Sequence, residues 1–253
     1  MSIANALKIG FASVVLMSSS MVSAEVIKVA VASNFTHPIK EIAKNFEQDT
    51  QNKVELSFGS SGKFYAQIAN GAPYEVFLSA DQAKPKRLAD EGMAIADTQF
   101  TYAEGQLVLW SKDPQKVDPL GKVLDEDSFN RLALANPKLA PYGLAALQTL
   151  ETLELVDKTR TKWVKGVNIA QTYQYVDTLN ADIGFVALSQ ITENHKITQG
   201  SAWIVPDEFY LPIKQDAIIV KGAERNATAQ AFLDYLRSNS AQKIIQSYGY
   251  KIE

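Results

Sequence analysis

Short apolar runs alternate with stretches of helical periodicity along most of the chain. Val26 to Ala32 is typical of a buried strand, and Val54 to Phe58 and Glu75 to Ala80 are further extended runs. The segment after the first run places four apolar residues on one helical face: Ile39, Ile42, Ala43 and Phe46. A second helical stretch follows the second run. This β-α-β-α-β order predicts an α/β fold with a right-handed, doubly wound parallel sheet.

A second series of strands and helices follows in the rest of the chain. Leu132 to Ala135 and Asp182 to Leu188 have the composition of buried strands, and Asn168 is a good N-cap for a helix between them. Two helices close the chain, over Ala227 to Arg237 and Ala241 to Tyr248, with little sheet of their own. We expect them to pack on the first series, so that the chain crosses twice between two domains.

The first 24 residues have the features of an export signal. Lys8 gives a weakly positive start, Ile9 to Met17 is an apolar core, and Val22-Ser23-Ala24 supplies small residues at the positions that a signal peptidase recognises. The apolar run is far shorter than the ~20 residues that span a bilayer, which disfavours the alternative of an uncleaved anchor. We predict a signal peptide over residues 1–24, cleaved after Ala24, and a periplasmic mature protein.

Composition and charge disfavour several classes of function. The chain has no Cys, so it has no thiolate metal site, no disulfide and no thiol to carry a lipid. Residues 1–24 hold one Lys and no acidic residue, so their removal changes the net charge from −3 to −4. Without a basic stripe, a nucleic-acid partner is not expected. His37 and His195 lie in contexts typical of surface residues, and we predict neither a metal site nor a cofactor.

Two turns lead from a predicted strand into a predicted helix through small polar residues. The more informative one is Phe58-Gly59-Ser60-Ser61-Gly62, and the other is Ser33-Asn34-Phe35-Thr36. Free backbone N–H groups and small hydroxyls at a helix N-terminus form a ready site for an anion. Gly62 and Lys63 invite comparison with a phosphate loop, but that pattern needs Gly at the position of Ser57. A purely structural role, in which the serines cap a helix, remains open.

Uncharged donors also occur at predicted helix starts in the second half. They are the backbone N–H groups of Tyr142, within Pro141-Tyr142-Gly143, and of Ile169, which follows Asn168. Ligands of open α/β sheets bind at the carboxyl ends of strands, where most of these donors are expected. A cleft between two lobes would bring them together. No nucleophile, base and orienting group can be assembled from the motifs, so an enzyme on the same fold is the less favoured alternative.

Six short motifs, in this order along the chain, resemble those of the periplasmic molybdate-binding proteins of ABC transporters. They are Ala32-Ser33-Asn34-Phe35, Phe58-Gly59-Ser60-Ser61-Gly62, Gly71-Ala72-Pro73, Leu78-Ser79-Ala80-Asp81-Gln82, Ala135-Asn136-Pro137 with Pro141-Tyr142-Gly143, and Ile183-Gly184-Phe185-Val186. The resemblance implies a two-lobed type II periplasmic-binding-protein fold, in which each lobe is a sheet flanked by helices and the ligand lies in the cleft between the lobes. We expect one lobe to comprise residues 25–102 and 209–253, and the other residues 103–208.

In that family the ligand is a tetrahedral oxyanion, molybdate or tungstate, which hydrogen bonds hold without a countercharge. By motif, the resemblance implies that Ser33 and Ser61 donate hydroxyl and backbone hydrogens from the first lobe, with Ser60 as a secondary candidate. Tyr142 and Ile169 are implied to donate backbone N–H groups from the second lobe.

One position departs from the family pattern. Many relatives place a Tyr hydroxyl where the strand from Ile183 to Val186 ends, and this chain has Ala187 there. Asn34 is our candidate for the replacement donor. The implied partners are the oxyanion and an ABC permease in the inner membrane, to which a monomeric binding protein would deliver it. Sulfate or another small oxyanion is the alternative ligand.

Overall fold

The computed structural model describes residues 25–252, and the predicted signal peptide lies outside this range. The strands are β1 (Val26–Ala32), β2 (Lys53–Gly59), β3 (Val76–Leu78), β4 (Phe100–Gly105), β5 (Leu107–Ser111), β6 (Leu132–Ala135), β7 (Trp163–Gly166), β8 (Ile183–Ala187), β9 (Thr192–Glu193), β10 (Lys196–Ile197), β11 (Ser201–Ile204) and β12 (Ile213–Ile219). The α-helices are α1 (Thr36–Thr50), α2 (Ser61–Ala69), α3 (Ala83–Asp90), α4 (Pro141–Thr152), α5 (Val156–Thr159), α6 (Ile169–Asp177), α7 (Ala227–Leu236) and α8 (Asn239–Ser247). Within residues 25–252, none of these helices has both the length and the apolar character that a membrane crossing requires.

The first sheet has the strand order β2-β1-β3-β12-β4. β1 pairs in parallel with β2 and with β3, as the β-α-β-α-β pattern predicts. β12 lies between β3 and β4 and is antiparallel to both. The three strands of that pattern are parallel, as predicted, and β12 with β4 makes the sheet as a whole mixed. β12 returns from a distant part of the chain, and an antiparallel strand needs no crossover helix to reach its neighbours.

The second sheet has the strand order β11-β5-β8-β6-β7 and is also mixed. β6 is parallel to β7 and β8, whereas β5 is antiparallel to β8 and β11. Separate cores form on its two faces. One contains Leu134 and Leu150 of α4, and the other contains Trp110 and Val176 of α6. The predicted α/β architecture of sheets flanked by helices is confirmed.

The two closing helices return to the first sheet. Phe232 of α7 and Ile245 of α8 lie in the same apolar core as Ile27 of β1 and Phe46 of α1. The Phe46 and Phe232 rings meet edge to face, with centroids 5.2 Å apart. The prediction that these helices pack on the first series of elements is confirmed.

The chain crosses between the two five-stranded sheets twice, between Gly105 and Leu107 and again between Ile204 and Ile213, while β9 and β10 form a separate two-stranded sheet. We call the elements around the first sheet, with the C-terminal segment that packs on them, the first lobe, and the elements around the second sheet the second lobe. β4 keeps residues 103–105 in the first sheet, beyond the expected boundary at residue 102. The other expected boundary, at residues 208 and 209, falls inside the second crossing segment.

Candidate anion-binding site

The first lobe contributes two turns, where β1 and β2 end. β1 leads into a 3₁₀ turn, Ser33–Phe35, and β2 leads from Gly59 into α2, whose first residue is Ser61. The two strands are parallel neighbours in which Ala32 pairs with Gly59. Both turns therefore lie side by side at the carboxyl edge of the sheet, as the sequence predicts.

The second lobe repeats this arrangement with two helix starts. β6 ends at Ala135 and is followed by α4, which begins at Pro141. β7 ends at Gly166 and is followed by α6, which begins at Ile169. Because Ala135 pairs with Gly166 in a parallel ladder, the two helix N-termini are also neighbours.

A small cavity lies between these four turns, and all six predicted site residues line it. Its volume is about 10 Å³, which is near the least that holds a single water molecule. None of the lining residues has a charged side chain, and each predicted site residue is at most 5% exposed. Their role as ligands stays a prediction. The lining residues are Ala32, Ser33, Asn34, Gly59, Ser60, Ser61, Ala80, Ala140, Pro141, Tyr142 and Ile169.

Ser61 lines the cavity and has two hydrogen-bond donors without a partner among residues 25–252. Its Oγ accepts a hydrogen bond from the Ala80 N–H at 2.9 Å, so the hydroxyl hydrogen is left to donate elsewhere. Its backbone N–H is the first of α2 and has no partner between residues 25 and 252. That these two donors bind an anion stays a prediction.

Ser33 and Ser60 differ in what their hydroxyls do. The Ser33 hydroxyl has no hydrogen-bond partner in the described part of the chain, although the residue is only 5% exposed. Ser60 is the N-cap of α2, and its Oγ accepts from the Lys63 N–H at 3.3 Å. The capping role that the sequence left open is therefore present at Ser60 and not at Ser61.

Tyr142 and Ile169 present backbone N–H groups at the starts of α4 and α6. Each lies within the first two helical residues, and neither N–H has a hydrogen-bond partner among residues 25–252. The side chain of Asn168 instead caps α6 by accepting from the Gln171 N–H at 2.8 Å, as predicted. Both helices therefore direct free donors and the positive ends of their dipoles at the cavity.

The side chain of Asn34 is already fully used as a donor within the protein. Its Nδ2 donates to Gln215 Oε1 at 2.8 Å and to Tyr250 Oη at 2.9 Å. An amide group has only two such hydrogens. The donor left to Asn34 is its backbone N–H, so the prediction that Asn34 serves the anion rests on the main chain.

Ala187, where many relatives have a Tyr, lies in the core and does not line the cavity. It is fully buried at the end of β8, and its N–H donates to Gln190 Oε1 at 2.9 Å. Gln190 Nε2 in turn donates to the Ile169 carbonyl at 3.1 Å. Gln190 thus joins the end of β8 to the start of α6. Gln190 was not predicted from the sequence, although a Gln side chain that accepts from the main-chain N–H three residues earlier is one half of a capping box.

A buried cluster of polar side chains, also missed from the sequence, adjoins the cavity. We call it the cross-lobe cluster, and its members are Asn34, Tyr102, Tyr142, Ser189, Gln215 and Tyr250. Gln215 Nε2 donates to Tyr142 Oη at 3.2 Å, and Ser189 Oγ donates to the Asn34 carbonyl at 2.9 Å. Each of these two bonds joins one lobe to the other. Tyr250 Oη lies 2.9 Å from both the Asn34 carbonyl and Ser189 Oγ.

Burial keeps the tyrosines of this cluster neutral. It raises the pKa of Tyr250 to about 12, and it raises the pKa values of Tyr102 and Tyr142 well above the ordinary value. All three hydroxyls are therefore protonated at neutral pH. The cluster places no negative charge beside the cavity.

The main chains of the two lobes touch next to the cavity. The Gly62 N–H, in the first turn of α2, donates to the Leu139 carbonyl at 2.9 Å. A Cβ at Gly62 would lie 3.0 Å from that oxygen and 3.1 Å from Leu139 Cα. A residue other than Gly would therefore meet main-chain atoms of the other lobe.

The two histidines lie at the surface, as predicted. The His37 ring stacks with that of Tyr248, with centroids 6.3 Å apart. Partial burial, with Lys40 nearby, lowers the pKa of His37. In the part of the chain that the structure describes, no group of three or more His, Cys, Asp or Glu side chains is placed to hold a metal ion.

Comparison with known proteins identifies the class to which this fold and cavity belong. A family model described as bacterial extracellular solute-binding protein matches residues 27–251. The chain therefore belongs to the family of bacterial extracellular solute-binding proteins.

Within this class the chain is similar to the ModA proteins. It is 51% identical over 238 residues to the molybdate-binding protein ModA of Azotobacter vinelandii, with 94% of each chain covered. It is 47% identical to ModA of Rhodobacter capsulatus, with 88% of this chain and 87% of the relative covered. The solved periplasmic molybdate-binding protein of Azotobacter vinelandii superposes with a TM-score of 0.87 at 42% identity, covering 90% of this chain and 99% of that one. The resemblance that the six motifs indicate is confirmed.

Proposed function

We propose that this protein captures molybdate, and tungstate in the same site, in the periplasm and delivers it to an ABC permease in the inner membrane. The observation that carries the proposal is the uncharged cavity on which helix starts from both lobes converge. Two relatives named as molybdate-binding proteins match most of the chain and support this choice of ligand. Tungstate has the same charge and tetrahedral shape as molybdate.

At least six hydrogen-bond donors are available to an oxyanion in this cavity. They include the hydroxyls of Ser33 and Ser61 and the backbone N–H groups of Asn34, Ser61, Tyr142 and Ile169. At ~1.5–3 kcal/mol for each bond to a charged group, six bonds give roughly 9–18 kcal/mol before the costs of ordering and closure. Micromolar binding needs only ~8 kcal/mol, so uncharged donors suffice without a countercharge.

The donor set favours a fully deprotonated dianion. Most of the proposed donors are backbone N–H groups, which cannot accept a hydrogen bond, and one lone pair of Ser61 Oγ is already taken by the Ala80 N–H. Hydrogen phosphate would bring a proton into a site whose available groups are donors, and that proton would lose its partner in water. Sulfate carries no such proton and differs from molybdate mainly in size, so it is the closest rival ligand.

Binding without catalysis and delivery to a permease complete the proposal. The cavity is lined by no carboxylate, imidazole or thiol that could serve as nucleophile or base. The predicted signal peptide and the family's description as extracellular support export to the periplasm. We propose that the mature protein acts as a monomer.

Thermal unfolding of the mature protein, residues 25–253, with each oxyanion in turn tests this function. A ligand at ~100 times its dissociation constant adds ~2.7 kcal/mol to the free energy of unfolding. We expect molybdate and tungstate to raise the melting temperature and hydrogen phosphate to leave it unchanged. A rise with sulfate, and none with molybdate or tungstate, would show that the site serves the rival ligand.

A further inference from the structure

Gln215 lies at the centre of the cross-lobe cluster and is fully buried. Its Oε1 accepts from Asn34 Nδ2 at 2.8 Å and lies 3.1 Å from Tyr102 Oη, while its Nε2 donates to Tyr142 Oη at 3.2 Å. Asn34 and Tyr142 line the cavity from opposite lobes, and Gln215 does not line it. A single primary amide therefore holds one anion-facing residue from each lobe.

The backbone at Gln215 is shaped to place this amide. β12 carries an irregularity in its register with β4, between Gln215 and Asp216. Such irregularities re-aim side chains near functional sites. Asp216, the next residue, accepts hydrogen bonds from Gln99 and Thr101 within the first lobe. The two consecutive side chains thus serve different sets of partners.

The contact between Gln215 and Tyr142 lies against the point where the chain first crosses between lobes. A Cβ at Gly105, the last residue of β4, would lie 2.0 Å from Tyr142 Oη and 2.6 Å from Gln215 Nε2. The Gln215–Tyr142 pair therefore fills the space that the missing side chain of Gly105 leaves. This hydrogen bond therefore lies beside one of the two segments that join the lobes.

We propose that Gln215 is a positioning residue that couples closure of the lobes to retention of the anion. This rests on the proposed oxyanion-binding function. Gln215 holds the Asn34 side chain within the first lobe, and its Nε2 donates to the hydroxyl of Tyr142 when the second lobe closes. Tyr142 then has two roles. Its N–H faces the anion, and its hydroxyl accepts the hydrogen bond from Gln215 only when the lobes are closed.

The kinetics of release follow from this arrangement. When the lobes are apart, water can satisfy both Gln215 Nε2 and Tyr142 Oη, so their hydrogen bond stabilises only the closed state. Removal of the Tyr142 hydroxyl would leave a buried Gln215 N–H without a partner after closure. The anion first meets the open protein, so the loss should appear in the dissociation rate and not in the association rate.

Stopped-flow measurement of molybdate binding to Tyr142→Phe tests the proposal. We expect its dissociation rate to rise about tenfold with little change in the association rate, because the backbone N–H of Tyr142 is kept. The matched control is Tyr173→Phe. The Tyr173 hydroxyl also accepts from a Gln amide, Gln199 Nε2 at 3.0 Å, but within the second lobe and away from the cavity. Its rates should equal those of the wild type.

A double-mutant cycle with Gln215→Leu distinguishes coupling from loss of packing. The double variant combines Gln215→Leu with Tyr142→Phe. If the two side chains act through their hydrogen bond, its fold increase in dissociation rate should lie well below the product of the fold increases of the two single variants. Equal dissociation rates for Tyr142→Phe and Tyr173→Phe overturn the proposal, whatever Gln215→Leu does. A wild-type protein that binds none of molybdate, tungstate or sulfate overturns the proposed function and this inference together.

Discussion

Hydrogen bonds already made within the protein separate residues that look alike in the sequence. Ser60 and Ser61 are adjacent and chemically identical, yet Ser60 Oγ accepts the Lys63 N–H of its own helix and Ser61 Oγ accepts the N–H of Ala80, which follows β3. Asn34 looks like a side-chain donor, but both of its amide hydrogens are used. The sequence could predict that these residues lie together, because their turns are local. It could not predict their partners, because Gln215 and Tyr250 are far away along the chain.

Ser61→Ala should weaken molybdate binding strongly while leaving the fold intact. The variant loses one hydrogen bond to a charged ligand, worth ~1.5–3 kcal/mol, so the dissociation constant should rise ~10- to 150-fold in isothermal titration calorimetry. Ser57→Ala, four residues earlier in β2 and outside the cavity, is the control and should bind as the wild type does. Equal affinities for the two variants would mean that the Ser61 hydroxyl does not contact the anion.

The buried tyrosines should make the protein less stable in alkali. Because the folded pKa of Tyr250 is about 12 and the ordinary value is 10.0, the folded state holds the proton over that interval and the unfolded state does not. The free energy of unfolding should therefore be unaffected below pH ~10. Above it, Tyr250 contributes a loss of up to about 1.4 kcal/mol per pH unit.

Urea unfolding between about pH 8 and about pH 11 measures this loss in the free energy of unfolding. The proteins compared are the wild type, Tyr250→Phe and the control Tyr175→Phe. Tyr250→Phe should lose less free energy of unfolding than the wild type as the pH rises above 10. Tyr175 lies outside the cross-lobe cluster, so its variant should follow the wild type. If the free energy of unfolding fell equally with pH in all three proteins, the raised pKa of Tyr250 would be contradicted.

At the scale of single elements, the strand-to-helix units were predictable and the direction of β12 was not. A strand followed by a small polar turn and an amphipathic helix is defined by neighbouring residues, so β1, β2 and the starts of α2 and α6 appear in the sequence. β12 has the apolar composition of a buried strand, but its partners β3 and β4 lie more than a hundred residues earlier. Composition does not encode which way such a strand runs.

Asn168→Ala should affect both stability and binding through the start of α6. Loss of this N-cap costs ~1 kcal/mol in the free energy of unfolding and loosens the turn that carries the Ile169 N–H. We expect the dissociation constant for molybdate to rise about fivefold.

Asn226→Ala is the matched control for the cap of α6. Asn226 caps α7 by accepting from the Thr228 and Ala229 N–H groups, away from the cavity. In chemical unfolding and calorimetry, this variant should lose stability and keep its affinity. If both variants lost affinity equally, the effect would come from general destabilisation and not from the position of Ile169.

At the scale of the whole molecule, two sheets joined by two crossings bring four distant turns around one cavity. The sequence predicts two lobes because the closing helices need the first sheet to pack on, and the shared core of Ile27 and Phe232 bears this out. The cross-lobe cluster was beyond prediction. Its members have no common spacing, and polar residues such as Tyr250 are more often exposed than fully buried.

The absence of charge around the cavity predicts that salt will hardly affect binding. In the proposed complex, fixed dipoles and hydrogen bonds hold the anion at short range between site residues that are at most 5% exposed, where mobile ions screen them little. The negative net charge of the protein also offers no long-range attraction that salt could remove. The dissociation constant for molybdate should change less than about twofold between ~50 and ~500 mM NaCl in titration calorimetry. A steep loss of affinity with salt would show that a charged side chain takes part.

The contact between Gly62 and Leu139 bears on the size of the ligand space and not on the chemistry of the side chains that line it. Main-chain atoms on both sides set how closely the lobes approach there, with the Gly62 N–H 2.9 Å from the Leu139 carbonyl oxygen. Exchanges among the lining side chains leave this contact in place, whereas a Cβ at position 62 would press on main-chain atoms of the second lobe. We therefore expect the spacing of the lobes beside the cavity to depend on a residue that does not line it.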